Sequence, residues 1–520
     1  MSAPRPPRLL LPCSLVFAGA LAIRLIYALT RPVPLSADAA YYVAVAENLY
    51  HGGGFVADYV WNYLGGIPSS LPAPSNGYWM PGQSVVMAGA FALVRAASLR
   101  AAQAPSILFG AFLCAITAWT GGLIARRRDV AVLSGAMAAV NFHLVGLTLY
   151  PDHFMLAAVL VNLSLVALWA AWRGRSSCAF ASGALAGLAY LTRTDGGLVG
   201  VVAVALAVCA FRKGERARAR RLALGFLIAF ALIAAPWWAR QTLVFGHPSG
   251  ANPLHTAFLT EYSDLFRVDL SHLGLADYLK VGQLAVWTTK LDTLLQELHL
   301  LRKAVEIIGL LAIAALFLRP ARRESLPWLI YLLLAVAVPA LIVPLPAAKG
   351  GFWHLMPGLL PAIFVLASVA LMHLYDVGKA KGAAPIRGAA VALFSLAFGS
   401  LIYVWAVAPK HPTGEGESFY PAVAAQAVRA LDPRPTAVLT DSAWGLYHVA
   451  RIPCAQFPSD GAEAALLVAN TLGAEYFVTR ADAPDRIPAT AEVVNHPRFK
   501  PHARHSDETA SILVYRILPP

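Results

Sequence analysis

Two carboxylates stand where chemistry can be drawn. Asp38 follows an apolar run at 9–30 by a few residues, within Ser36-Ala37-Asp38-Ala39-Ala40-Tyr41-Tyr42. Helical periodicity resumes at Tyr41, Tyr42, Val45 and Leu49. Asp38 therefore reads either as a helix N-cap or as a carboxylate at a water–lipid boundary, able to act as a general base. Asp152, in Tyr150-Pro151-Asp152-His153, lies between two apolar runs. It reads either as a cap for the second run or as an acid that orients an acceptor or a cation. Two carboxylates and His153 could hold a divalent metal, but no ligand spacing demands one, and the reading requires no cofactor.

The cations around them invite a counter-charge. Arg193 and Asp195 lie between two short apolar runs, either as a functional intramembrane pair or as partners of each other. Arg24 falls inside the first run and is expected to snorkel outward. Pro236-Trp237-Trp238-Ala239-Arg240 ends a further run, its tryptophans suited to an interfacial belt and Arg240 adding a cation. Lys349-Gly350-Gly351-Phe352-Trp353-His354 sets Lys349 and His354 on a glycine-rich backbone, suited to a lipid phosphate or to surface anchoring. Tyr78, in Gly77-Tyr78-Trp79-Met80-Pro81-Gly82, could stack on a sugar face or anchor the helix that follows. Glu261-Tyr262-Ser263-Asp264 forms one more polar cluster, whose role composition leaves open.

The elements that must position these groups are membrane spans. The chain has 520 residues, of which 58% are hydrophobic and 13% charged. Soluble domains carry about 25% charged residues, so a soluble enzyme, a disordered chain and a coiled coil are excluded. Apolar runs at 9–30, 104–125, 130–149, 154–172, 221–239, 303–319, 325–343, 353–375 and 388–408 are long enough to cross hydrocarbon. Shorter runs at 179–192 and 196–211 read as a helical pair turning at Arg193. This predicts an α-helical polytopic membrane protein of about eleven spans. The run at 82–94 is read as a juxtamembrane surface helix. That choice alone gathers the basic clusters on one side: Arg5 and Arg8, Arg126 to Arg128, Arg173 and Arg175, Arg212 to Arg221, Arg319 to Arg323, and Lys379 to Arg387.

By the positive-inside rule that side is cytoplasmic and so is the N-terminus. Loops at 31–103 and 240–302 and the tail then lie outside the cell (inner) membrane. The formal net charge is +13; the first 408 residues carry an excess of 15, with 31 basic against 16 acidic side chains, and the tail is near neutral. The excess reads as loop charge, not as a nucleic-acid footprint. The expected organisation is a transmembrane domain at 1–408 and a small extracytoplasmic α/β domain at 409–520. Strands are predicted at Thr436 to Asp441, Cys454 to Phe457, Glu475 to Thr479 and Ser511 to Leu518, with a helix at Ala462 to Leu472.

In this order the motifs resemble the GT-C class of polyprenyl-phosphate-sugar-dependent glycosyltransferases. The nearer likeness is to the family of protein O-mannosyltransferases and lipid A aminoarabinose transferases. The residues that carry it are Asp38 to Tyr42, Met80-Pro81-Gly82, Pro151-Asp152, Gly187 to Arg193, Pro236 to Arg240 and Phe245 to Pro248. Ala39, where the family often has a second acid, and a turn with Pro81 alone depart from the pattern. The resemblance implies inverting transfer of a hexosyl or pentosyl unit from a polyprenyl-phosphate carrier to an acceptor hydroxyl, on a protein, lipid or glycan of the envelope. Asp38 would be the base, and Asp152 a second catalytic acid on the same face of the membrane. Arg193, Arg240, Lys349 or His354 would meet the donor phosphate, and Tyr41, Tyr42, Tyr78 and Glu261 would contact substrate. The reading from another class is a transporter or flippase, whose path buried charges such as Arg193 and Asp195 would line.

Overall fold

Residues 9–251, 254–407, 420–481, 492–493, 495–506 and 511–519 are described in a computed structural model of the chain. Arg5 and Arg8 lie outside them. The chain divides into two compact units. The first comprises Met1–Val33, Leu99–Trp237 and Lys290–Pro409, and the second Pro34–Ser98, Trp238–Thr289 and Lys410–Pro520.

The first unit is helical. It contains α1 (Leu10–Leu29), α4 (Leu99–Ala125), α5 (Arg128–Val140), α6 (Phe142–Leu147), α7 (Phe154–Trp172), α8 (Cys178–Thr192), α9 (Leu198–Arg212) and most of α10 (Arg216–Phe245). Further helices span Leu326–Ile342, Leu360–Ala380 and Ala384–Val407. Among the described residues, six helices are long and apolar enough to cross a membrane. A seventh arises if Leu326–Ile342 and Pro344–Gly358, bent by 114°, form one span. A helix stands at each run expected to cross, and polar residues interrupt two of these runs.

Asn141 breaks the run at 130–149. Its backbone is extended (ψ 120°) and its side chain caps α6, accepting from Leu144 N at 3.1 Å. Its Nδ2 donates to Ala304 O at 2.9 Å. Glu306 takes φ 43° inside Gln283–Ala315 and interrupts the run at 303–319. In hydrocarbon such breaks survive only where the freed backbone groups find partners within the protein.

Arg24 supplies one such partner and does not snorkel. It is fully buried, and its Nη1 donates to Ala20 O at 3.2 Å and to Ala139 O at 3.3 Å. The latter carbonyl sits just before the Asn141 break. Close approach between helices elsewhere depends on small residues. A Cβ on Gly183 of α8 would fall 2.1 Å from the Phe226 carbonyl oxygen of α10.

The second unit gathers both long loops with the tail. Its first loop folds into α2 (Ala37–Tyr50), β1 (Val56–Ala57), β2 (Tyr59–Val60), β3 (Ala73–Pro74) and α3 (Gly82–Val94). At 13 residues α3 is about 20 Å long, short of the ~30 Å hydrocarbon core. The tail contributes β4 (Ala437–Thr440), β5 (Cys454–Gln456), β6 (Ala474–Arg480), β7 (Phe499–Ser506) and β8 (Ser511–Ile517), with helices at Tyr420–Leu431, Ala443–Ala450 and Ala462–Leu472. The four tail strands and the helix expected from periodicity are present, β7 being added to them.

The sheet runs β2-β5-β4-β6-β8-β7. The β2–β5, β5–β4 and β4–β6 pairs are parallel, and the β6–β8 and β8–β7 pairs antiparallel. The first loop thus donates an edge strand, with Tyr59 opposite Cys454. Val60 and Tyr63 enter the same core as Leu439, Phe457, Phe477 and Phe499, and Val268 of the second loop packs against it. Tyr447 donates to Asp58 Oδ2 at 2.9 Å, and Arg451 Nη2 donates to Glu47 Oε1 at 2.8 Å, which fastens loop to tail twice more.

Candidate active site

In the first unit three backbone breaks converge. α8 stops at Thr192, Arg193 is extended (φ −158°, ψ 132°), and Thr194–Gly197 makes a 3-10 turn before α9. Gly196 allows the turn to close, since a Cβ there would lie 2.5 Å from the Ala189 carbonyl carbon. The second break is Tyr150 to His153, ahead of α7. The third is the π-helical turn Ala347–Gly351, with Gly350 at φ 130°.

Arg193 joins all three. Its Nε contacts Asp195 Oδ2 at 2.5 Å, its Nη1 lies 3.2 Å from His153 Nε2, and its Nη2 donates to Gly351 O at 3.0 Å. His153 Nδ1 lies 2.5 Å from Asp152 Oδ1, and both residues are buried. His354 Nδ1 lies 3.3 Å from His153 Nε2, and Phe154 packs against both rings. Burial pushes the Asp152 carboxyl up, but the His153 ring and backbone N–H outweigh it and leave it below the ordinary carboxylate range. Asp152 is not the cap of α7, because His153 holds that position, without a side-chain cap.

Asp152, Arg193 and His354 are therefore one cluster, joined by His153 and Asp195. Lys349 stands on the same turn as Gly350 and is exposed. The pairing of Arg193 with Asp195 is real, but it uses one edge of the guanidinium and leaves the other two nitrogens for His153 and Gly351.

The ligand atoms of Asp152, His153 and His354 lie within 4.8 Å of one another. One carboxylate and two imidazoles are the donor types of a zinc site. The arrangement itself fits a cation poorly. Arg193 Nη1 faces the His153 nitrogen that would ligate, and Asp152 is taken by the other. The set reads as a hydrogen-bonded relay, and no metal step follows from it.

In the second unit Ser36 caps α2, its Oγ accepting from Ala39 N at 3.1 Å. Asp38 is thereby not the N-cap. It lies in the first helical turn, where the positive end of the helix favours its charge. Its field reaches two phenols. Burial, then Asp38, pushes Tyr262 up to about 12. Burial, with Asp38 among lesser causes, raises Tyr59 well above its ordinary value.

Tyr41 is buried and its hydroxyl accepts from Asn76 N at 2.6 Å. Burial pushes it up to about 12. Tyr42 is also buried and belongs to the packing of α2; its carbonyl accepts from Ser84 Oγ at 3.1 Å. Tyr78 belongs to an aromatic wall: Trp61 stands 5.7 Å from Tyr78 and 4.6 Å from Trp79, and Tyr41 stands 4.4 Å from Trp79.

Arg240 serves the same loop. Its Nη1 donates to Ser75 O at 2.8 Å and to Gln241 Oε1 at 2.6 Å, and its Nη2 to Phe55 O at 3.3 Å. Gln241 Nε2 donates to Asn76 O at 2.6 Å. These contacts hold the β1–β3 hairpin. Glu261 is exposed and belongs to a capping box with Asp264, its Oε2 accepting from Ser263 Oγ at 3.1 Å. The structure thus collects Asp38, Tyr41 and Tyr78 around the first loop and engages Arg240 and Glu261 in local structure. Sequence reasoning missed Trp61, Tyr59 and Asn76. Only the left-handed Asn76 (φ 63°), before Gly77, carried a turn signal.

Spans, breaks and sheet define a polytopic membrane protein with a small α/β element. No family model matches the sequence, and no curated protein matches it by sequence. Solved structures match in fold. The oligosaccharyltransferase of Archaeoglobus fulgidus, crystallised with Zn and sulfate, is 13% identical, with TM-score 0.62 over 97% of this chain and 74% of that one. The archaeal oligosaccharyltransferase AglB from Archaeoglobus fulgidus, in complex with an inhibitory peptide and a dolichol-phosphate, is 12% identical, with TM-score 0.61 over 96% and 74%. ArnT from Cupriavidus metallidurans, bound to undecaprenyl phosphate, is 13% identical, with TM-score 0.57 over 96% and 97%. The expected likeness to GT-C proteins is borne out at the level of the fold.

Proposed function

We propose that the chain is an inverting glycosyltransferase of the GT-C class, moving a sugar from a polyprenyl-phosphate carrier to an acceptor hydroxyl on the outer face of the membrane. The observation that carries the reading is Asp38. Ser36 takes the capping role, so the Asp38 carboxylate stands in the first turn of α2, on the loop that carries the aromatic wall. The shared fold with proteins solved with dolichol-phosphate and undecaprenyl phosphate supports a polyprenyl-phosphate donor.

In the reaction the acceptor oxygen bonds to the anomeric carbon as the bond from that carbon to the phosphate oxygen breaks. Asp38 takes the hydroxyl proton, and the polyprenyl phosphate leaves with the electron pair. Fixed cations stabilise the developing phosphate charge. In the first unit these are Arg193, held in place by Asp195, and Lys349, with His354 on the neighbouring turn as a hydrogen-bonding partner. Arg240 positions the loop that carries Tyr78. Asp152 orients His153, and through it the Arg193 guanidinium.

The test uses purified protein and a panel of labelled polyprenyl-phosphate sugars, with a crude envelope extract as acceptor. Release of free polyprenyl phosphate by wild type, and not by Asp38→Asn, is the expected result. Equal release by both removes Asp38 as the base. No release with any donor, together with movement of the intact donor between leaflets, would make the chain a flippase.

A further inference from the structure

The first unit holds a second place where cations meet apolar wall. A cavity of about 710 Å³ opens between the C-terminal half of α9 and the start of α10. Its wall includes Val204, Val208 and Phe211 from α9, and Arg216 and Arg220 from α10. The three apolar side chains are 45%, 44% and 57% exposed, so they present a continuous face outward. α9 is 15 residues long, which sets this end about 20 Å from the Arg193 turn. It is a separate feature from the candidate active site.

The neighbouring charges are sorted. Arg218 donates to Glu215 Oε2 at 2.6 Å and stacks over the Trp172 ring at 4.7 Å. Lys213 also lies over Trp172, at 5.5 Å. Arg216 stands over Phe211 at 5.8 Å, at the rim of the cavity, and Arg220 is exposed on the next turn of α10. Residues 216 and 220 are one helical turn apart and share a face.

We propose that this groove binds a two-chain anionic phospholipid, its acyl chains against Val204, Val208 and Phe211 and its phosphate between Arg216 and Arg220. Charge complementarity selects the headgroup. A dissolved anion would have no use for the apolar wall, and a zwitterionic lipid would set its own cation among the arginines. Basic pockets between membrane helices are of the kind that hold anionic lipid headgroups.

The full chain in detergent, titrated with dioleoyl phosphatidylglycerol, dioleoyl phosphatidylcholine or glycerol phosphate and read by native mass spectrometry, tests this. Phosphatidylglycerol is expected to bind about tenfold more tightly than phosphatidylcholine, with glycerol phosphate a poor competitor. Arg216→Gln/Arg220→Gln should bring the two lipids to within about twofold of each other, and Arg322→Gln/Arg323→Gln should leave the preference intact. Val208→Trp, which fills the groove, should lower occupancy by both lipids. A preference that survives Arg216→Gln/Arg220→Gln, or one lost equally in Arg322→Gln/Arg323→Gln, overturns the assignment. Competition by glycerol phosphate at the lipid's own concentration makes it an anion site without a lipid groove.

Discussion

The His153 and His354 rings stack 4.9 Å apart and within 9° of parallel, although 201 residues separate them. Each ring sits at a point where a helix is interrupted. The guanidinium of Arg193, at a third interruption, reaches His153 Nε2 and the Gly351 carbonyl together. Interrupted helices leave unpaired carbonyls, and in a membrane bundle these must be met from within. Here one such carbonyl is met by the cation proposed to hold the donor phosphate. Fold and site therefore share one arginine.

Arg193→Lys should consequently behave almost as badly as Arg193→Ala. An ammonium cannot present the planar fork that contacts Asp195, His153 and Gly351 from three nitrogens. Donor affinity is expected to fall about tenfold or more in both variants. Equilibrium binding of labelled polyprenyl-phosphate sugar checks this. A lysine variant with wild-type affinity would reduce Arg193 to a simple point charge.

Lys349→Ala and Asp38→Asn should separate binding from turnover. Lys349 is exposed on a glycine-flexed turn, so its loss should weaken donor binding with little effect on folding. Asp38→Asn should bind donor normally and lose about 10²–10⁴ in rate. Measuring both constants for both variants decides the matter. Equal donor affinity in wild type and Lys349→Ala would remove Lys349 from the phosphate site.

How far the sequence reached depends on where the deciding contact lies. Short apolar runs made three tail strands legible and alternation a fourth, Ser511 to Leu518, because both signals are local to a strand. The two-residue strand Tyr59–Val60 was not legible. It exists only because Cys454 and Ala455 lie opposite, and two residues carry no period. Asp38 and Asp152 were both visible as acids, but which neighbour caps the helix is decided by side-chain geometry that Ser36 satisfies. Arg24 was misplaced for a similar reason. Snorkelling is the default for a lone arginine in a span, and its burial here depends on Gly110, where a Cβ would stand 2.9 Å from its Nε, and on the carbonyl at the Asn141 break.

Gly183→Ala tests the packing of the first unit. The added methyl would meet the Phe226 backbone oxygen at 2.1 Å, and backbone cannot swing aside as a side chain can. α8 and α10 must separate, at an expected cost of about 1–3 kcal/mol. Gly146→Ala, with nothing within 4 Å of the new atom, is the matched control and should be neutral or slightly stabilising. Thermal unfolding in detergent compares them, and equal midpoints would contradict the contact.

Chelation addresses the relay of Asp152, His153 and His354. With the Arg193 guanidinium facing His153 Nε2, turnover should survive EDTA within about twofold. Asp152→Asn should then lower turnover by weakening the hold on His153. Loss of activity in EDTA with recovery on adding Zn²⁺ would show that the guanidinium gives way to a metal.

The tail carries a pH dependence of definite sign. Burial, then the nearby Arg451 cation, lowers His448 to about 4. An unfolded histidine titrates near 6.5, so between these values the unfolded chain binds more protons than the folded one. Stability therefore rises with pH across this window. Above about pH 6.5 both states are neutral at His448 and nothing is lost. As pH falls toward 4 the penalty grows, reaching at most roughly 3 kcal/mol, and below 4 it is constant. His448→Gln should flatten the unfolding midpoint between pH 6.5 and 4, while leaving the value at pH 8 nearly unchanged. A variant that keeps the full slope would place the acid sensitivity on other groups, and one that is equally destabilised at pH 8 would show that the ring acts through packing instead of charge.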